Sequence, residues 1–262
     1  MTIRPLIKYF GGKHYLARKL IECFPPKFRS MTYRQPCIGG GNPFLQKDKS
    51  TKEIISDLNY NIVNLWTVVK NDCGKLMDAL SGIPYCESSF DYYSKVICYT
   101  ELDSAIQTFV KYRMSRSGRG DCFSWSDRLR GGQSESVNAY ITAIENLDLV
   151  SKRLAETEIK LETCWDSVND SDENTFVYLD PPYRKETRSS FNIYEIEMSD
   201  DDHVKLALAC RKSKAKIMIS HYDDPFYNDA YSKWRRVAFS IVNNSSEKKT
   251  KDVKKEVIWM NY

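Results

Sequence analysis

The sequence predicts an α/β fold: a mostly parallel sheet with a C-terminal antiparallel hairpin, plus an inserted, mainly helical module. Three observations carry this. Short β-branched and aromatic runs alternate with helical patterns, the rhythm of strand–helix–strand units in a parallel sheet. The stretch 72–154 breaks that rhythm and is rich in Tyr, Ser and charge. The last two apolar runs are joined by a connection too short for a helical crossover, so they pair as antiparallel strands.

In chain order, MTYRQP (31–36) is the first strand-like run and leads into Cys37-Ile38-Gly39-Gly40-Gly41. KEIIS (52–56) is a short strand ending on Asp57, and Tyr60 to Lys70 follows as a helix with Ile62, Val63, Trp66 and Val69 at helical spacing. Inside the middle stretch, SRSGRGDCFSWSDRLRGG (115–132) is a loop of glycine, serine and arginine. TFVYL (175–179) suits a strand buried on both faces. Ser199 and the three aspartates after it start a helix, a hydroxyl cap followed by acids that meet the helix dipole. That helix carries Val204, Ala207, Leu208 and Arg211 and closes on Arg211, Lys212 and Lys214. KIMIS (216–220) is the next strand. Arg235 to Val242 and Glu256 to Asn261 form the hairpin across NNSSEKKTKD, whose lysines read as a solvated tip. The organisation expected is a core of 1–71 and 155–262 interrupted by an insert of 72–154.

A chain of 262 residues that is 42% hydrophobic and 28% charged has an ordinary globular composition, which excludes collagen-like, disordered and disulfide-scaffold classes. The first residues lack the apolar run of a secretory signal. No segment approaches the roughly 18 apolar residues of a spanning helix, so a cytoplasmic protein without membrane contact is expected. The eight cysteines form no C-x-x-C pair and there are only three histidines, so no metal is expected. The window Lys111 to Arg130 holds six basic residues against two acids, and that excess equals the whole chain's net charge of +4. Such a patch suits a phosphate backbone, with a solvated loop as the alternative on charge alone. Arg113, Arg116, Arg119, Arg128 and Arg130 are the candidate contacts to such a backbone. Phe123 and Trp125 fill the insert's own small core or stack on bases.

The chemistry gathers where strands end. The glycine run follows the first strand, Asp57 ends the second, Asp180-Pro181-Pro182-Tyr183 follows TFVYL, and His221 follows KIMIS. In an open parallel sheet these ends share one edge, and ligands bind in the crevice outside it. Glycines let a ligand approach the backbone closely, and an acid about 20 residues later can accept ribose hydroxyls; this suggests an adenosine-containing ligand. The DPPY run is sharper. Two successive prolines have no N–H, so that turn presents only carbonyl acceptors; Asp180 adds a carboxylate and Tyr183 a flat face. Together they suit a planar ring bearing an exocyclic amine, whose delocalised lone pair becomes reactive when both N–H bonds are accepted in a fixed geometry.

KYFGGK (8–13), QPCIGGGNPF (35–44), ISDLN (55–59) and YLDPPY (178–183) resemble the Dam-like N6-adenine DNA methyltransferases, with a fainter likeness in IMISHYDDPFY and the terminal EVIWMN. The resemblance implies a Rossmann-like core that uses S-adenosyl-L-methionine and an insert that recognises the DNA target. It implies that Tyr9, Phe10, Gly11, Lys13, Pro36, Gly39, Gly41 and Asp57 contact the cofactor and that Asp180 sits between cofactor and target amine. Asp166 is the candidate for an acidic contact to the cofactor's adenine. Double-stranded DNA is the expected substrate, with the target base flipped out of the helix. A cognate restriction endonuclease, acting separately, is the protein partner such an enzyme can have, and a nucleoid location follows. One departure is Gln35, where the family usually has an acid. Transfer to cytosine N4 or to glutamine would use similar acceptors, and a nucleic-acid-binding protein that keeps the fold without turnover is the alternative from another class.

Overall fold

The computed structural model describes residues 3–187, 194–242 and 253–262; the NNSSEKKTKD connection lies outside the described residues. The elements run α1 (Ala17–Glu22), β1 (Thr32–Gln35), β2 (Lys52–Asp57), α2 (Tyr60–Asn71), α3 (Cys73–Ser81), α4 (Glu87–Lys95) and α5 (Glu101–Met114). A two-stranded hairpin follows, β3 (Leu129–Arg130) with β4 (Gln133–Ser134), then α6 (Glu135–Leu154), β5 (Glu158–Leu161), α7 (Cys164–Asn169) and β6 (Thr175–Leu179). The chain ends with α8 (Asp200–Lys212), β7 (Lys216–Tyr222), α9 (Pro225–Ala230), β8 (Arg235–Val242) and β9 (Val253–Met260). Two compact units emerge. One gathers Met1–Cys23, Ile38–Asp48 and Asp57–Leu161, the other Phe24–Cys37, Lys49–Ser56 and Glu162–Tyr262.

The large sheet has seven strands, and those of the second unit run in the order β2-β1-β6-β7-β9-β8. β1 pairs in parallel with β2 and β6, and β6 with β7. β9 reverses, pairing antiparallel with β7 and β8, so the mostly parallel sheet ends in the expected hairpin. Every residue of β6 is buried, as its unbroken apolar run requires of a strand covered on both faces. Val177, Leu179, Ile217, Ile219, Val257 and Trp259 pack with Leu206 and Cys210 of α8 and with Tyr227 and Tyr231. Side chains of this size each contribute about 1.5–3 kcal/mol on full burial.

α8 starts as the sequence predicts: the Ser199 hydroxyl accepts from Asp202 N at 3.2 Å and the Asp202 carboxylate accepts from Ser199 N at 3.1 Å, a capping box. Its buried face differs from the expected one. His203, Leu206, Ala207 and Cys210 face inward at i, i+3, i+4 and i+7, while Val204 and Leu208 are exposed. A histidine on the apolar face disguises that register, because its ring reaches the core by pairing with the Tyr227 hydroxyl, 2.8 Å from Nδ1.

The first unit is mainly helical. α2 packs against α3, α5 and α6, α3 against α5 and α6, and α4 against α5. Thr100 and Asp103 form a capping box on α5, whose inner face is Ile106, Phe109, Val110 and Met114. β5 is a strand that periodicity does not mark, since none of its four residues is fully buried. Among the described residues, no helix is long and apolar enough to cross a membrane.

Candidate active site

In the first unit, the glycine turn is held from both sides. Gly39 N donates to Asp57 Oδ2 at 3.1 Å, and Gly39 O accepts from Trp66 Nε1 at 3.0 Å. Asp57 Oδ1 accepts from Asn59 N at 3.0 Å, and Asn59 in turn caps α2 by accepting from Asn61 N at 2.9 Å. The ISDLN run therefore places a carboxylate at the turn while starting the helix that delivers Trp66. Burial pushes the Asp57 carboxyl up, against the pull of the backbone N–H groups of Asn59, Gly39 and Leu58. Asp57 as a residue is half-buried, and a carboxylate has lone pairs beyond these bonds for hydroxyl donors.

Two glycines here are required by shape. Gly39 has φ +44°, and a Cβ would come within 2.8 Å of the Tyr9 ring; Gly41 has φ +93°, and a Cβ would come within 2.6 Å of Trp66. The close approach that the glycines permit is thus to Tyr9 and Trp66 themselves, which wall the turn. Tyr9 lies 5.3 Å from the Tyr112 ring. Lys13 is buried and folds back to donate to Gly11 O at 2.8 Å. Phe10 sits beneath the Arg119 guanidinium at 5.3 Å. The structure thus brings Tyr9, Gly39, Gly41, Asp57 and Trp66 together, with Phe10, Gly11 and Lys13 in the adjoining turn. Trp66 reads in sequence only as one apolar position on a helix. These groups fit an adenosine ligand: a carboxylate for hydroxyls, an open-backboned turn, and an aromatic ring.

In the second unit, the parallel strands β1, β2, β6 and β7 end on one edge of the sheet. Pro36 follows β1 and is buried, and Gln35 before it is buried with its side-chain carbonyl accepting from the Tyr33 hydroxyl at 2.7 Å. Gln35 thus serves a bond inside its own strand. Asp180 follows β6. Its Oδ1 accepts from Ser220 Oγ at 2.9 Å and from the Tyr183 hydroxyl at 3.1 Å. Ser220 is itself 3.0 Å from the Tyr178 hydroxyl. Tyr183 also hydrogen-bonds Glu256 Oε1. β7 continues through His221 to Tyr222, so His221 lies within the strand rather than after it.

One expectation changes here. Tyr183 was expected to offer a flat face to a ligand, yet it is 6% exposed, its ring 4.4 Å from His221 and 4.7 Å from Tyr222. In this conformation its hydroxyl, bound to two carboxyl groups, is the group that serves the site. Burial above all, then the Asp180 charge, holds its phenol well above the ordinary range, so the proton stays on oxygen. Asp166 is exposed and third in α7, and its carboxylate accepts from the Thr163 hydroxyl at 2.6 Å as part of that helix's cap.

His221 and Arg184 fix the segment after DPPY. Arg184 N donates to His221 Nε2 at 2.9 Å, which leaves the proton on Nδ1, 3.0 Å from Tyr222 O. The Arg184 guanidinium meets Glu186 at 2.9 Å, Asp200 at 3.1 Å and Asp224 at 3.3 Å. Glu256, Ser220 and Tyr178 are members of this cluster that sequence reasoning missed. No local pattern marks them; only strand register does, since β9 places Glu256 opposite Tyr222.

The candidate DNA contacts separate. Arg113 Nε and Nη2 donate to Leu6 O at 3.1 and 2.8 Å, and Nη2 also reaches Pro5 O, so Arg113 braces the N-terminal segment instead of facing a phosphate. Burial lowers its pKa to about 10. Arg116, Arg128 and Arg130 are exposed; Arg128 precedes β3 and Arg130 lies in it beside Leu129, which is 73% exposed. Phe123 is half-buried with its ring 5.5 Å from that of Tyr85, while Trp125 remains half exposed. Among the described residues, no group of three or more His, Cys, Asp or Glu side chains could hold a metal ion.

Comparison with known proteins gives one consistent answer. The family model of the D12 class N6 adenine-specific DNA methyltransferases matches residues 9–250. The Type II methyltransferase M.MjaIII of Methanocaldococcus jannaschii is 29% identical over 292 aligned positions, covering 100% of both chains. M1.LlaDCHI of Lactococcus lactis subsp. cremoris, also a Type II methyltransferase, is 25% identical over 88% of this chain and 85% of its own. The DNA adenine methylase of Haemophilus influenzae is 23% identical over 95% of this chain and 91% of its own.

Proposed function

Because the chain belongs to the D12 class N6 adenine-specific DNA methyltransferases, enzymes that methylate adenine N6 in DNA from S-adenosylmethionine, we propose a role for each part of the site. Asp180 is the catalytic residue that takes one N–H of the target amine through Oδ2, with the carbonyl oxygens of the Asp180-Pro181-Pro182 turn as the neighbouring acceptors. The observation that carries this is the anchoring of Asp180 Oδ1 by Ser220 and Tyr183, which aims the carboxylate before any substrate arrives. Accepting the amine's hydrogens localises the nitrogen lone pair and stabilises positive charge as it develops there. S-adenosylmethionine, when bound, supplies the methyl group on a positively charged sulfur. Asp57 accepts from its ribose hydroxyls, and Tyr9 with the Gly39–Gly41 turn lines its seat; an aromatic ring favours a nearby cation.

The target amine lies inside the duplex, so the base leaves the stack to reach Asp180. The inserted module 72–154 recognises the DNA. Arg116, Arg128 and Arg130 meet phosphates or base edges, and the exposed Leu129 between the two last suits contact with bases. Two of the relatives carry the Type II name, which favours a restriction-modification role with a cognate endonuclease. Adenine methylation at one sequence that blocks cleavage by such an endonuclease would be the sign of it.

The test contrasts two acids by transfer of labelled methyl to unmethylated genomic DNA, with cofactor affinity measured by calorimetry. Asp180→Ala should lower the single-turnover rate by about 100-fold or more while S-adenosylmethionine still binds. Asp57→Ala should instead weaken cofactor binding by about 10- to 100-fold. An Asp180→Ala enzyme that turns over at the wild-type rate would overturn the assignment.

A further inference from the structure

We propose that Glu256 is a positioning residue for methyl transfer, acting on Asp180 through the Tyr183 hydroxyl. The inference rests on Asp180 being the group that takes the target amine. β9 runs antiparallel to β7, so its early residues arrive at the edge where the parallel strands end, and register sets Glu256 opposite Tyr222. There the Tyr183 oxygen lies between two carboxyl oxygens, Asp180 Oδ1 at 3.1 Å and Glu256 Oε1.

A phenol has one proton to donate, and two hydrogen bonds between three oxygens need two. The second hydrogen belongs to one of the carboxyl groups. If Asp180 held it, the acceptor aimed at the amine would be neutral and weakened. If Glu256 holds it, Glu256 donates to Tyr183, Tyr183 donates to Asp180, and Asp180 stays charged. Burial selects the second arrangement. Glu256 is 1% exposed, and a carboxyl taken out of water favours its neutral form. Asp180 Oδ1 then receives two donors, Tyr183 and Ser220, which fix the direction of the carboxylate. Neither DPPY nor the strand pattern around Glu256 signals this chain of donors, because it closes only across β7.

Glu256→Ala, Glu256→Gln, Tyr183→Phe and the Glu256→Ala/Tyr183→Phe double variant are compared by single-turnover methyl transfer to unmethylated genomic DNA, with S-adenosylmethionine affinity read by calorimetry. Glu256→Ala and Tyr183→Phe should each slow transfer by about 10- to 100-fold, the worth of a hydrogen bond to a charged group, with cofactor affinity unchanged. Glu256→Gln should recover close to the wild-type rate, because its amide N–H still donates to the Tyr183 oxygen. The double variant should be no slower than Tyr183→Phe, because both changes break one chain. Glu256→Gln as slow as Tyr183→Phe would overturn the proposal, as would additive losses in the double variant or wild-type rates in Glu256→Ala. Should Glu256→Ala not fold, Glu256→Gln against Tyr183→Phe decides alone. Asp180→Ala runs in parallel: if it is inert while Glu256→Ala is unaffected, only this inference fails; if it is active, the assignment beneath it fails.

Discussion

Acid destabilises this protein through His203. The imidazole is 1% exposed, with Nδ1 2.8 Å from the Tyr227 hydroxyl and Nε2 buried without a hydrogen-bond partner among the described residues. Burial, and then the Arg184 charge, lower its pKa from 6.5 to about 4, against the opposing pull of Asp200, Asp224 and Asp202. The unfolded chain takes up this proton near pH 6.5, the folded chain only near 4. Between those values the unfolded state binds more protons, so stability rises with pH. The contribution is whole above pH 6.5 and is lost as pH falls towards 4. At about 1.4 kcal/mol per pH unit, the loss is about 3 kcal/mol. Urea unfolding of the wild type and of His203→Gln, across a pH series from about 4 to about 7.5, reads it directly. The carboxylates titrate in both proteins, so the difference between the curves isolates His203. The wild type should lose about 3 kcal/mol more than the variant across this range. Parallel curves would refute the reasoning, because His203 would then bind its proton equally in both states.

Two further outcomes follow from the first unit. Gly41→Ala puts a Cβ 2.6 Å from Trp66 at φ +93°. It should cost about 2–4 kcal/mol in thermal unfolding and weaken S-adenosylmethionine binding, whereas an unchanged melting temperature would mean that the turn relaxes freely. Arg128→Ala with Arg130→Ala should weaken DNA binding and flatten the plot of log affinity against log salt by about two, one per lost phosphate contact. An unaltered slope would move the DNA contact off this hairpin.

The parallel core was legible because its strands are short apolar runs with no competing reading, and β6 is buried along its whole length. The hairpin was legible because the connection before β9 leaves no room for a crossover. β5 was missed because its residues are exposed or half-buried and carry no alternation. Among site residues, Asp57 and Asp180 stand out because one ends β2 and the other follows directly on β6, where the fold itself determines position. Arg113 misled for the opposite reason. A cluster of charge says nothing about where each guanidinium turns, and this one finds main-chain carbonyls at the N-terminal segment. Asp166 lies before DPPY on an exposed helix start, where one carboxylate oxygen caps α7. Glu256 was invisible because its importance depends on a register across β7 and β9, which neighbours in sequence do not encode.

The central claim is that the Asp180 carboxylate, held by its other oxygen, receives the target amine. The most direct measurement is a crystal structure with duplex DNA and a non-reactive S-adenosylmethionine analogue, in which the distance from Asp180 Oδ2 to the extruded adenine N6 is read. The account predicts a hydrogen bond of about 2.7–3.2 Å, with Ser220 and Tyr183 still on Oδ1. An adenine amine bonded elsewhere, with Asp180 Oδ2 turned to water, would contradict it.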